Sequence, residues 1–216
     1  MPPRGKGGTQ ERPEAKRAVP SARPALPREF IARHKQRRIM DAVAELTAEQ
    51  GYEATKISDI VKRAGVARKT LYDNFEGKEE VFLAAFDAAR DDVMRRVEEA
   101  GAGADGDWQA RIEDGLAAFL GYVAENPSLA RMSMIESLSA TAETTRRYED
   151  ALEAFVALTR GALPSDERLP ETIAETVVGG VAWIVYQQIR RGDAEHAADL
   201  LPELTEFMMA PYLASA

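Results

Sequence analysis

Apolar residues recur every three to four positions along almost the whole chain after Pro27, and almost nowhere at every second position. That spacing lines one side of an α-helix, whereas a half-buried strand needs alternation. Ile39, Ala42, Val43 and Leu46 make the first stripe, and Gly51 suits the left-handed residue that closes a helix. Thr55 is placed to cap a short second helix built on Ile57, Ile60, Val61 and Ala64. Gly65 and Val66 interrupt it. Leu71 and Phe75 give a third short helix its buried side, and Gly77 interrupts again. Val81, Phe82, Ala85, Phe86 and Ala89 then open a longer helix. Trp108, Ile112, Leu116, Phe119, Leu120 and Val123 share a face closed by Asn126-Pro127. A shorter segment follows on Leu129, Met132 and 135–138, and another from Tyr148 to Leu158 that ends near Pro164. Residues 173–189 are apolar over a wide arc and stop at Arg190, Arg191 and Gly192. Asp193 is placed to cap a last helix carrying Leu200, Leu201, Leu204, Phe207 and Met208. The expected fold is all-α with about nine helices.

Composition narrows the classes of function. With 45% apolar residues the chain can bury a sizeable core, and with no cysteine it has neither disulfides nor thiolate chemistry. No apolar run is long enough to cross a bilayer, and no apolar block follows the basic N-terminus as a secretory signal would require. A cytoplasmic protein with no membrane partner is expected. The net charge of −8 conceals a split: residues 1–78 carry an excess of Lys and Arg, and the remainder a larger excess of Asp and Glu. A basic front on an acidic body suggests one part that meets a polyanion and another that meets a different partner. Residues 1–27 are rich in Pro, Gly, Arg and Lys with almost no large apolar side chain, and are expected to be a disordered basic arm that could track a phosphate backbone.

Two short helices joined by a glycine-containing turn, with a supporting helix before them, make a helix-turn-helix arrangement across 28–77, with the motif at about 56–75. Its second helix must bury Leu71 and Phe75 and present a polar face to the major groove. Arg68 and Lys69 sit near its start, where they can reach guanine O6 and N7. Thr70, Tyr72 and Asn74 offer hydroxyl and amide groups to phosphates or base edges. Thr55 and Lys78 complete the expected DNA contacts, Lys78 by pairing an ammonium with the free N–H groups that open the next helix.

These residues also carry a family likeness. The segment GYEATKISDIVKRAGVARKTLYDNFEGKEEVF resembles the N-terminal signature of the tetracycline-repressor (TetR) family of bacterial transcription regulators. Gly51, Thr55, Ile60, Ala64, Gly65, Val66, Thr70, Leu71, Tyr72, Phe75 and Lys78 match in order and spacing, and LPREFIARHKQRRIMDAV resembles the lead-in of actinobacterial members. The resemblance covers residues 26 to about 87. It implies a homodimer that binds a palindromic operator on double-stranded DNA, and a C-terminal domain that dimerises through its last two helices. It also implies a small effector that binds there and releases the DNA, so that the chain acts as a repressor. Two departures bear on operator preference. Ala67 stands where the third helix commonly has a Ser or Thr cap, and Asp73 puts a carboxylate on the DNA side.

The C-terminal part, 78–216, is then expected to hold the effector and the dimer contact. Trp108, Phe119, Tyr122, Met132, Met134, Glu136, Trp183, Tyr186 and Gln187 are the candidate pocket residues, being aromatic, sulfur-bearing or polar on inward helix faces. The bland alternative for each is ordinary core, and for Glu136 and Gln187 simple exposure. Leu204, Phe207 and Met208 are the candidate dimer contacts, in a four-helix bundle between subunits. Gly179-Gly180 within a helix implies that another helix comes close, in the same subunit or across a dimer. The only histidines, His34 and His196, lie far apart, and no hydrolase or phosphate-loop motif is present. No cofactor, metal or catalysis is expected. A helical adaptor that binds a protein through its acidic bundle, and an enzyme using the bundle cavity, are the alternatives; sequence-selective DNA binding separates the first from a regulator, and turnover dependent on a pocket carboxylate the second.

Overall fold

The computed structural model describes residues 28–103, 106–163, 169–170 and 172–213; the expected basic arm lies outside them. These residues form nine helices and no strand. They are α1 (Arg28–Gln50), α2 (Ile57–Ala64), α3 (Arg68–Tyr72), α4 (Lys78–Ala102), α5 (Trp108–Glu125), α6 (127–140), α7 (Ala142–Ala162), α8 (Ile173–Arg190) and α9 (Leu201–Leu213). A 3₁₀ stretch, Ala194–Leu200, leads into α9. Helix α6 is composite: Pro127–Arg131 and Ser137–Ala140 are α-helical, and Met132–Glu136 between them is wound as a π-helix.

The glycines end helices as their freedom at positive φ allows. Gly51 (φ 84°) donates its N–H to the Thr47 carbonyl, and Gly65 (φ 60°) makes the turn between α2 and α3. At Gly65 a side chain would also collide with the Arg38 guanidinium, which lies 2.5 Å from where a Cβ would stand. Two caps fall elsewhere than the residue types suggest. The residue before α2 is Lys56, with no side-chain cap. Thr55 is instead buried, its hydroxyl donating to the Gly51 carbonyl at 2.8 Å, so it closes the α1–α2 turn. Asp193 caps nothing; its carboxylate holds the His196 ring at 2.6 Å and accepts from the Gln188 amide at 2.7 Å. Asp107 and Thr141 are the side chains that do cap, at the starts of α5 and α7.

Two cores result. In the first, Ile39 and Val43 of α1, Ile60 of α2 and Leu71 of α3 close on Val81, Phe82 and Phe86 of α4. The first turns of α4 therefore pack with the helices before them. Arg63 ties α2 to α1 outside this core, donating to Glu45 at 2.9 Å and to Glu49 at 2.8 Å. The second core joins α5 (Ile112, Leu116, Leu120), α8 (Val177, Val181, Val185) and α9 (Leu204, Met208, Tyr212). Helix α6 stands between them, with Met132 fully buried in the first core.

Candidate functional site

Two features stand out, the exposed polar side of α3 and an apolar cavity between the later helices. On α3 the buried Leu71, followed by Phe75, turns the rest of the helix outward, so Arg68, Lys69 and Tyr72 are exposed and Thr70 is half-buried. The Arg68 guanidinium sits 5.6 Å from the centre of the Tyr72 ring and donates to its hydroxyl at 3.4 Å. Lys69 donates to Asp73 at 2.6 Å, an exposed pair one helical turn apart. Ala67 occupies the cap position with no side-chain hydrogen bond, leaving the start of α3 without that support.

Asn74, Lys78 and Thr55 are engaged inside the fold. The Asn74 amide accepts from Gln36 at 3.0 Å and donates to the Thr70 carbonyl at 2.7 Å, fastening α3 to α1. The Lys78 ammonium donates to the Tyr52 carbonyl at 2.8 Å and lies 3.8 Å from the centre of the Tyr52 ring. An ammonium has three donors, so this leaves two for another acceptor. Thr55 is 1% exposed and presents no hydroxyl to the surface.

The cavity, about 520 Å³, lies between α4, α5 and α7, with α6 and α8 completing its wall. Most of the lining is aliphatic or aromatic, including Val93, Phe119, Phe155 and Val181. Small residues also line it: Ala89 and Ala151, and Gly101 and Gly115, where a Cβ would press on Arg111 and Val97 across the α4–α5 contact. Polar groups are few. Burial pushes the Tyr122 hydroxyl up to about 12 and raises Tyr148 as well, so both remain neutral at physiological pH. Ser133 Oγ is buried without a hydrogen-bond partner. Arg90 is neutralised by Asp87 at 3.1 Å and Asp91 at 2.8 Å. Arg111 also lines the cavity and makes no ion pair with any described carboxylate.

The π-helical part of α6 joins the two regions. Ser133 and Met134 face the cavity, Met132 is buried in the core of the first helices, and Glu136 reaches the α1–α2 turn. There Glu136 Oε2 accepts the Tyr52 N–H at 3.3 Å, while Arg131 approaches its other oxygen at 3.9 Å. Tyr52 meets Phe82 edge-on at 5.4 Å and carries the Lys78 contact on its carbonyl. The backbone of Tyr52 is thus held on its N–H by Glu136 of α6 and on its carbonyl by Lys78 of α4.

Among the residues expected to touch an effector, Phe119, Tyr122 and Met134 line this cavity. The others stand elsewhere. Trp108 packs on Tyr212 at 5.8 Å, and Met132 and Glu136 belong to the joint just described. Trp183 is 57% exposed and stacked on Tyr186 at 5.6 Å, and Gln187 is half-buried on the same helix without lining the cavity. Of the expected dimer contacts, Leu204 and Met208 are buried in the subunit's own core, and Phe207 is 43% exposed. Phe207 also accounts for Gly180: a Cβ there would lie 2.7 Å from its ring, whereas Gly179 has open space. Helix stripes gave no sign of Arg111 or the small wall residues; glycine and alanine at facing positions were the available signal.

Residues 39–85 match the model for bacterial regulatory proteins of the tetR family. The fatty acid metabolism regulator protein of Bacillus subtilis is 28% identical over 135 residues, which is 61% of this chain and 67% of that protein. Three further relatives align over only 32–36% of their own length. Among solved structures, the fatty acid degradation regulator FadR from Bacillus halodurans superposes with a TM-score of 0.68 at 19% identity, covering 81% of this chain and 94% of that one. FadR from Bacillus subtilis, solved with stearoyl-CoA, gives a TM-score of 0.59 at 19% identity over 80% and 96% of the two chains. At these identities the structures establish a shared fold.

Proposed function

With residues 39–85 in the tetR family of bacterial regulatory proteins and the chain as a whole in that fold, we propose a homodimeric repressor that leaves its operator when a fatty-acyl effector fills the cavity. The observation that carries this reading is the shared wall. Met132–Glu136 touches the cavity on one side and holds the Tyr52 peptide on the other. An effector acts only through a difference in affinity between two states. A wall that a bound ligand presses against, while it grips the turn behind the DNA-reading helix, supplies that difference.

The DNA contact is made by Arg68, Lys69, Thr70 and Tyr72, with Lys78 and the α4 start adding phosphate contacts and Asn74 holding α3 in place. Two copies reading successive major grooves require a dimer. Trp183 and Ile184 of α8 together with Phe207 and Leu213 of α9 form an exposed apolar face on adjacent helices. Pairing this face with its copy gives a four-helix bundle between subunits. The effector is largely apolar, as the wall requires, and the fatty-acid names of the Bacillus relatives and the stearoyl-CoA bound to one of them support an acyl compound. Among the described residues no helix is long and apolar enough to cross a membrane, and the protein works in the cytoplasm without catalysis of its own.

The test is a gel shift with the DNA upstream of the protein's own gene, at matched salt, with and without a long-chain acyl-CoA. A discrete band that disappears with the acyl compound is the expected result. Equal affinity for that DNA and for random duplex would overturn the reading, and so would a band indifferent to every acyl compound tried.

A further inference from the structure

We propose that the cavity is a blind tunnel for one extended acyl chain, entered methyl end first, with the acyl head held beside Arg111 at the mouth. This rests on the fatty-acyl reading above and adds the ligand's shape, orientation and contact residue. The wall on α4 is a single stripe from Phe86 to Ala102. Sixteen helical steps make it about 24 Å long. A cavity of about 520 Å³ that follows this stripe is elongated, which suits an extended chain better than a compact ligand.

The two ends differ. Phe86 and Ala89 at one end of the α4 stripe are buried, and Glu98 and Ala102 at the other are exposed. Helix α7 runs the same way: Tyr148 and Ala151 are half-buried, whereas Ala157 and Gly161 are exposed. The ion pair of Asp87 with Arg147 and the contact of Phe119 with Phe155 at 5.5 Å fix that alignment of α4 and α7. The open end is therefore formed by the end of α4, the start of α5 and the end of α7. The closed end lies against α6.

Charge decides which way a chain lies. At the closed end Arg90 is already neutralised by two carboxylates, and the remaining polar groups are neutral: the hydroxyls of Tyr122, Tyr148 and Ser133. A carboxylate placed there would give up its water without gaining a cation. At the mouth Arg111 has no ion-pair partner among the described residues, and Glu98, the other charged side chain among the described lining residues at this end, is exposed to water. The stem of Arg111 lies across the end of α4 only because residue 101 is glycine; a Cβ there would come within 3.0 Å of Arg111 Cγ. A carboxylate and a thioester carbonyl both accept from a guanidinium, so a free fatty acid and its CoA ester share this chemistry.

Calorimetry on the full chain without DNA, using saturated fatty acids of increasing length, their CoA esters and the matching alcohols, tests the proposal. Affinity should rise about fourfold per added methylene until the tunnel is full, then fall. Ala89→Leu at the closed end should move the optimum to shorter chains while leaving short-chain affinity unchanged, a pattern that misfolding does not produce. Arg111→Gln should weaken the acids by about tenfold or more and leave the alcohols unchanged, with Arg111→Lys recovering part of the loss. Preference for acids over esters, or the reverse, identifies the source of the head. No length optimum, tight binding of fused-ring compounds, or acids weakened by Ser133→Ala rather than Arg111→Gln would overturn it. DNA is absent, so acids that bind as expected yet release no operator would sink the regulator reading and not this one.

Discussion

Asp73 closes α3 beside the face proposed to meet DNA, and its carboxylate holds Lys69 at 2.6 Å. An exposed pair of this kind is worth at most about 1 kcal/mol. A phosphate can therefore take Lys69 from it, but the carboxylate stays behind as a repelling charge. Asp73→Asn should tighten DNA binding several-fold at low salt and steepen the salt dependence, with the thermal midpoint nearly unchanged; gel shifts across a salt series measure this. Arg68→Ala should relax base preference without altering the salt slope, which a competition between operator variants would reveal. Lys78 differs, because its ammonium serves the fold first. Lys78→Met removes the hydrogen bond to the Tyr52 carbonyl and the contact with its ring, and should cost about 1–2 kcal/mol in urea unfolding as well as weakening all DNA alike. Normal stability with weakened DNA binding would return Lys78 to a role at phosphates alone.

Helix α6 shows what an element can do when its winding is irregular. A π-helical stretch carries an extra residue per turn and is inserted at a cost in regular hydrogen bonding. Here it lets Met132 and Glu136 face the DNA-binding helices while Ser133 and Met134 face the cavity. Glu136→Leu removes the acceptor of the Tyr52 N–H and should uncouple the two regions. Operator affinity is expected to change less than about threefold, whereas the acyl concentration needed for release should rise by about tenfold or more. Gel shifts with graded effector give both numbers, and an unchanged release curve would place the coupling elsewhere. The helices before α6 were readable because Gly51, Gly65 and Gly77 bracket short stripes whose apolar residues can have only one buried side. The winding of α6 was not, because Leu129, Met132 and 135–138 suit an α-helix and a π-helix equally. The effector residues were readable only in part for a related reason. A stripe tells which side of a helix is apolar and not which neighbour it meets: Phe119 and Tyr122 face the cavity, whereas Trp183 faces outward.

At the scale of the whole molecule, an exposed apolar face and a hollow interior both call for something to fill them. On the proposed reading, a second copy covers Trp183, Ile184, Phe207 and Leu213, each exposed in the single chain. Phe207→Glu should yield monomers in analytical ultracentrifugation and lower operator affinity by far more than any single phosphate contact, since both half-sites must be held together. A dimer that survives this change would locate the interface on another face. The hollow has a different consequence. A ligand that binds only the folded chain stabilises it by about 2.7 kcal/mol at a hundred times its dissociation constant. On the proposed reading, copies with neither effector nor DNA are therefore the ones that unfold more often and are more open to proteases. A cell short of acyl chains would then draw its repressor from its least durable copies, so that repression fades by turnover unless the gene is kept on.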